Sequence, residues 1–168
     1  MSEMNIDMIV EIPYNTNVKY EFDKNEKRIR CDRILNTSMM YPGNYGYFPK
    51  TLSGDNDPLD VLLISNFPLY PNIIISVKII GVLITKDENG EDEKIIAVPS
   101  RKVDNNYKKI NDINDLQENT IEKIKHFFTH YKDNEKNKWV EIGNIFGMEK
   151  AIKIYQDSKG RYNLMSRV

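Results

Sequence analysis

Two apolar runs joined at Asn89-Gly90 constrain this chain more than any other feature. Residues 73–85 are rich in Ile, Val and Leu and are broken only by Ser76, Lys78 and Gly81, and residues 94–98 resume the apolar pattern beyond the turn. Asn-Gly between such segments is the strongest short hairpin signal, because both residues tolerate the positive φ of a tight turn. The same polar breaks leave the run well short of the roughly 20 continuous apolar residues needed to cross a bilayer, so no membrane span is expected.

Other segments extend the strand pattern. Residues 7–13 alternate, with Met8, Val10 and Ile12 on one face and Ile9 and Glu11 on the other. Residues 18–22 repeat this, turning Val18, Tyr20 and Phe22 inward and Lys19 and Glu21 outward, and 23–26 read as the turn into a return strand over 28–34. On these strands Lys19, Glu21 and Arg33 fit a plain solvent-facing surface. Residues 41–49 gather Tyr41, Tyr45, Tyr47 and Phe48 among two glycines and two prolines, which predicts a shaped loop with little regular structure. Its tyrosines suit either a site wall or an aromatic mini-core. A strand follows at 61–65 and a turn at 69–72.

The last third turns helical. Capping residues at 113–116 precede Ile121, Ile124, Phe128 and Tyr131 at helical spacing, and Ile145, Met148, Ile152 and Tyr155 predict a second helix over 145–155. The segment after Gly160 reads as a peripheral tail. The fold class is therefore mainly β, of the α+β type. At 168 residues and 40% hydrophobic content the chain fits a single domain over 1–168. The net charge of −1, from 24 basic and 25 acidic side chains, argues against a bulk nucleic-acid or membrane-surface binder. Cys31 stands alone and cannot form an internal disulfide. The N-terminus carries no basic-then-apolar leader, so a cytoplasmic location is expected.

Chemistry concentrates at residues 55–60, Asp-Asn-Asp-Pro-Leu-Asp, just ahead of the apolar run at 61–64. Carboxylates are hard ligands suited to Mg²⁺ or Mn²⁺, and the spacing is not that of a calcium EF-hand loop. Pro58 restricts the chain on both sides of itself, which holds the aspartates at set angles. An Asx-rich turn that merely joins two strands fits the same residues. A second acidic run, Asp87-Glu88-Asn89-Gly90-Glu91-Asp92, holds more acid than its hairpin needs. Two acid clusters with scattered Lys, Arg and Tyr make the inventory of a metal-assisted phosphate site. His126 and His130 are one helical turn apart but lack the Glu of the zinc-protease motif, which favours a packing or subunit-contact role. Lys132 sits where a helix C-terminus favours a cation for structural reasons alone.

Taken together, Glu11-Ile12-Pro13, Lys19-Tyr20-Glu21, Asp32-Arg33, the run Tyr41 to Tyr47, Asp55-Asn56-Asp57-Pro58-Leu59-Asp60-Val61, Asp87 to Lys94, His126-Phe127-Phe128 and His130-Tyr131-Lys132 resemble the soluble family I inorganic pyrophosphatases of bacterial type. The resemblance covers about residues 9–151. It implies a closed Greek-key, OB-like β-barrel with two flanking helices in the C-terminal half, and hydrolysis of inorganic diphosphate to two orthophosphates.

By that resemblance Asp55, Asp60 and Asp92 hold a first Mg²⁺, Asp60 bridges to a second, Asp87 with Asp92 meets a further ion, and Glu11 helps the last. Mn²⁺ or Zn²⁺ are possible substitutes. Two such ions roughly 3.5 to 4 Å apart acidify the water between them to a bridging hydroxide, and Asp57 is implied as general base. Lys19, Arg33, Tyr45, Lys94, Tyr131 and Lys132 are similar to the family's phosphate-binding set. The family also implies a homohexamer with His126 and His130 at a subunit contact. Ile145, often tryptophan in relatives, and the short lead before the first strand depart from the pattern, away from the chemistry. Two rivals stand beside this reading. One is an OB-like module stacking single-stranded nucleic acid on Tyr41 and Tyr45, which the acid clusters oppose. The other is a nucleotide hydrolase using the same metals.

Overall fold

The computed structural model describes residues 4–167. Its elements run in the order β1 (Ile6–Ile12), β2 (Val18–Asp23), β3 (Arg28–Ile34), β4 (Asn44–Tyr47), β5 (Asp60–Leu63), β6 (Ile74–Asp87), β7 (Gly90–Pro99), α1 (Glu118–His130), β8 (Val140–Gly147) and α2 (Met148–Met165). β1 pairs with β4, β4 with β5, β5 with β7, β7 with β6, and β6 returns to β1. Five strands thus close into a ring, an OB-like barrel, with β5 and β7 its parallel pair. Closure gives every ring strand two neighbours and removes the unpaired edges that make open sheets prone to aggregation. β8 adds outside the ring to β6, and β2–β3 form a separate hairpin.

Alternation along the strands feeds two apolar layers. Val61, Leu63, Ile95 and Ala97 pack in one layer with Phe48 and with Ala151 of α2, while Leu62, Ile96 and Val98 pack in the other with Ile124, Phe127 and Phe128 of α1. β1 shows how the sides are exchanged. Ile9, Val10 and Ile12 face Tyr47, Gly46 and Tyr45, so Glu11 is an extra residue, a β-bulge. Met8 and Val10 join the α2-side layer, but Ile12 crosses to the α1-side layer. The single apolar face expected for Met8, Val10 and Ile12 is therefore corrected: all three are buried, on two different sides.

Residues 44–47 also differ from expectation, forming the strand β4 inside the ring rather than an irregular loop. Gly46 makes this possible by lack of bulk, since a Cβ there would lie 1.9 Å from the carbonyl oxygen of Ile9. Gly46→Ala should cost more than about 3 kcal/mol in denaturant unfolding, because relief requires moving a ring strand. A loss below 1 kcal/mol, on the order of an ordinary surface change, would show that β1 and β4 yield easily.

The turn between β6 and β7 is shifted from the one expected. Asp87 pairs with Gly90, the loop is Glu88-Asn89, and only Gly90 takes positive φ, at 111°. Asp87 Oδ1 accepts the Asn89 N–H at 2.9 Å, so this acid is not surplus to the hairpin. The hairpin of β2 and β3 is secured similarly: Asp23 accepts the N–H groups of Asn25 and Glu26, and Arg30 binds its other oxygen. The Glu26 hydrogen bond first, then Arg30, hold the Asp23 carboxyl below its usual pKa. A depressed folded value gives stability that is present above the unfolded pKa of about 3.9 and lost as pH falls through the folded one. Asp23→Ala should thus lower the melting temperature at pH 7, with the gap from wild type closing toward about pH 2. An equal gap at both pH values would contradict this.

In the C-terminal third, 113–115 form a separate 3-10 turn capped by Asp112. Ile145 lies in β8, paired with Leu83 of β6, not in a helix. Its helical spacing to Met148 is incidental, because the outer side of β6 offers main-chain partners that a helix there would leave unused. α2 continues through Gly160 to Met165. The segment after Gly160 is helical and mostly exposed, tied to the rest by Arg161, whose Nε donates to Leu52 O at 2.8 Å; one turn earlier Ser158 O accepts the Leu52 N–H at 3.0 Å. Among the described residues no helix is long and apolar enough to cross a membrane.

Candidate active site

Each acid and cation is placed by a local device. The bulge in β1 turns Glu11 toward the hairpin, where it accepts the Phe22 N–H at 3.1 Å. Burial chiefly, with Asp60 and Glu21 nearby, pushes its pKa up. A second bulge makes Asp32 the extra residue of β3 and leaves Lys19 facing Arg33 across the hairpin. Lys19 Nζ is 3.3 Å from Asp32.

The loop before β5 is pinched by Thr51, whose buried hydroxyl donates to Phe48 O at 2.6 Å and accepts the Leu59 N–H at 3.0 Å. Within it Asp55 Oδ1 accepts the Asp57 N–H at 3.0 Å, and Asp57 O accepts the Ser53 N–H at 2.8 Å. Asp55 therefore builds an Asx turn and also faces the cavity. Burial, then the charges of Asp92 and Asp57, raise the Asp55 pKa.

Lys94 lies at the centre, 3% exposed. Its ammonium is 2.7 Å from Tyr45 Oη, 2.8 Å from Asp92 and 3.2 Å from Asp60, and Tyr45 donates to Asp60 at 2.8 Å. The parallel register of β5 and β7 sets Lys94 directly beside Asp60. Burial works to lower the Lys94 pKa, but Tyr45, Asp60, Tyr131 and Asp92 together lift it well above its ordinary value. Burial also raises Tyr45 well above an ordinary phenol, keeping it a neutral hydrogen-bonding group. Asp60 is raised chiefly by burial, with Lys94 opposing and Asp92 reinforcing. At the opposite rim Lys132 reaches Asp87 at 3.0 Å and Glu88 at 3.6 Å. Tyr131 stacks on Phe127 with ring centroids 5.3 Å apart.

Glu11, Lys19, Arg33, Tyr45, Asp55, Asp57, Asp60, Asp87, Asp92, Lys94, Tyr131 and Lys132 all line one cavity of about 400 Å³. Twelve polar side chains from seven segments meet there. Glu88 and Asn89 of the second acidic run line it too, as do Lys24 and Lys138, which sequence reasoning did not single out because they sit in polar segments with no periodicity to point at them. Tyr41, 2% exposed and packed on Phe127 at 4.6 Å, and Tyr45, bonded to Asp60, both serve core and cavity together. The rings of His126 and His130 lie 4.9 Å apart, tilted at 58°, on α1 away from this cavity, with His130 Nδ1 2.7 Å from Asp133.

The donor set is hard oxygen throughout and fits Mg²⁺ or Mn²⁺. Among the described residues no three acid, histidine or cysteine side chains are already gathered around one point. Lys94 instead supplies the positive charge between Asp60 and Asp92. Burial, reinforced by Asp92, disfavours the charged forms of Asp55 and Asp60, a penalty that bound divalent cations would relieve.

A closed barrel whose mouth holds acids, cations and phenols in one cavity has the makeup of a phosphate-processing hydrolase. The comparisons with known proteins are specific. The inorganic pyrophosphatase family profile matches residues 8–163. The chain is 48% identical over 151 residues to the inorganic pyrophosphatase of Saccharolobus solfataricus, covering 88% of each, and 54% identical over 137 residues to that of Sulfolobus acidocaldarius, covering 82% of this chain and 79% of the relative. The solved inorganic pyrophosphatase of Helicobacter pylori superposes with a TM-score of 0.92 at 40% identity, over 95% of this chain and 94% of that one. The chain belongs to the inorganic pyrophosphatase family, and is a hydrolase of that family.

Proposed function

We propose that this enzyme hydrolyses inorganic diphosphate to two orthophosphates with Mg²⁺, using Asp57 as general base. The observation that carries the reading is the single cavity in which the acidic and the cationic sets meet. Asp55, Asp60 and Asp92 would hold a first ion, Asp60 would share a second, and Asp87 and Glu11 would complete the set. When bound, Mg²⁺ supplies positive charge against the diphosphate oxygens and lowers the pKa of water held between two ions.

The chain's own groups do the rest. Lys19 and Arg33 from the hairpin, with Lys132 from the end of α1, bring fixed positive charge to the phosphoryl oxygens. Tyr45 and Tyr131 offer phenolic donors. Lys94 stays charged and balances the acids on which it is bonded, so the cavity is prepared for charge before substrate arrives. Asp57 is exposed at the cavity wall, where its carboxylate can take a proton from attacking water.

The deciding experiment is phosphate release from diphosphate and from ATP, each with Mg²⁺ and with a chelator in excess. Release from diphosphate alone, abolished by chelation, is expected. Equal release from ATP would make the enzyme a nucleotide hydrolase, and release that survives chelation would remove the metals from the reading. The family resemblance also supports a cytoplasmic homohexamer, with exposed His126 at a subunit contact. A monomer mass at pH 8 in light scattering would exclude that assembly.

A further inference from the structure

Two of the cavity's cations share a carboxylate that does not itself line the cavity. Arg33 Nη1 is 2.8 Å from Glu135 Oε2, and Lys138 Nζ is 3.7 Å from the same oxygen. Arg33 and Lys138 line the cavity; Glu135 stands behind them, with its side chain 13% exposed. Glu135 is held in turn, its N–H donating to Lys132 O at 3.2 Å in the turn after α1. The bond to Arg33 spans 102 residues of sequence and ties β3 to that turn. On its other side the guanidinium is loosely held. Nε is buried without a hydrogen-bond partner and lies 4.0 Å from Asp32, too far for a bond.

Arginine flexes about several torsions and is useful to a phosphoryl group only when its planar fork is aimed. Without Glu135, Arg33 would keep no hydrogen-bonded anchor among the described residues. We infer that Glu135 is a positioning residue for diphosphate hydrolysis: it fixes one edge of the Arg33 guanidinium so that the remaining N–H groups are presented to a phosphoryl oxygen. It touches neither substrate nor ion and acts through Arg33, with a weaker hold on Lys138. This rests on the reading of Arg33 as a phosphate-binding residue.

The test is a double-mutant cycle of Glu135→Gln and Arg33→Ala, with kcat/KM for Mg²⁺-diphosphate and the melting temperature measured on each protein. The glutamine keeps the shape of the side chain and removes its charge. In the Arg33 background Glu135→Gln should lower kcat/KM about 10-fold, the scale of a misplaced binding group. In the Arg33→Ala background it should change kcat/KM less than about 2-fold, since the group it orients is gone. A drop of equal size in both backgrounds would overturn the inference and make Glu135 act independently of Arg33. A loss that follows the melting temperature and vanishes when assayed well below it would make the bond purely structural, and likewise overturn it. Should Arg33→Ala leave kcat/KM unchanged, the assignment of Arg33 fails, and the inference with it. Glu135→Asp, too short to reach Arg33 without moving the turn, guards against an uninformative glutamine: it should fall at least as far in the Arg33 background and stay silent in the other.

Discussion

Asp57→Asn is expected to slow diphosphate turnover by ~10²- to 10⁴-fold while leaving the fold intact, the loss typical of a missing general base. The carboxylate is exposed and makes no hydrogen bond to another described residue; the loop is held through the Asp57 main chain, by Asp55 and Ser53. An amide keeps those main-chain bonds and the side-chain volume but cannot accept a proton. Steady-state phosphate release at saturating Mg²⁺, with a melting curve alongside, separates the two effects. Turnover within a factor of about three of wild type would remove Asp57 from the base role. Slow turnover with a large drop in melting temperature would mean that the side chain supports the loop.

Lys94→Met should act on stability and on turnover together. Lys94 is buried, and its removal leaves Asp60 and Asp92 facing each other without their shared counter-charge. Stripping one partner from a buried ion pair costs about 3–5 kcal/mol. Asp60 is 31% and Asp92 16% exposed, so water softens the penalty to about 2–4 kcal/mol here. Divalent cations bound by the folded state offset such a loss by mass action, so added Mg²⁺ should raise the melting temperature of the variant by more than that of wild type. Turnover should stay low even then, because methionine can neither hold Tyr45 nor stand opposite a phosphoryl oxygen. An equal Mg²⁺ response in both proteins would argue that the acids around Lys94 do not take the metal.

Much of this site is readable in the sequence because its chemistry is concentrated in short runs. The aspartates of 55–60 and the acids of 87–92 announce themselves by charge beside apolar strands, and the bounds of β2 and β3 follow from alternation and turn residues. What escapes is set by partners distant in sequence. The bulge at Glu11 leaves the alternation of Met8, Val10 and Ile12 unbroken to the eye; the slip appears only against Tyr45, Gly46 and Tyr47 of β4. β4 itself is hidden because its glycine and tyrosines resemble loop chemistry, while a close backbone contact with Ile9 is what they satisfy. Glu135 sits in a polar turn whose composition offers no reason to link it to Arg33, 102 residues earlier. Ile145 carries a helical spacing that β6 overrides by strand pairing.

The two hydrogen bonds that join Leu52 to Ser158 and Arg161 bear on the order in which the working enzyme is made. Leu52 belongs to the loop that presents Asp55 and Asp57, and its N–H and its carbonyl are both held by the last helix. Chains emerge from the ribosome N-terminus first, and a contact with late residues cannot form until they are out. The ring strands and α1 all precede α2 in sequence, so the bonds within the aspartate loop, from Thr51 to Phe48 and Leu59 and from Ser53 to Asp57, can form before the two that tie Leu52 to the last helix.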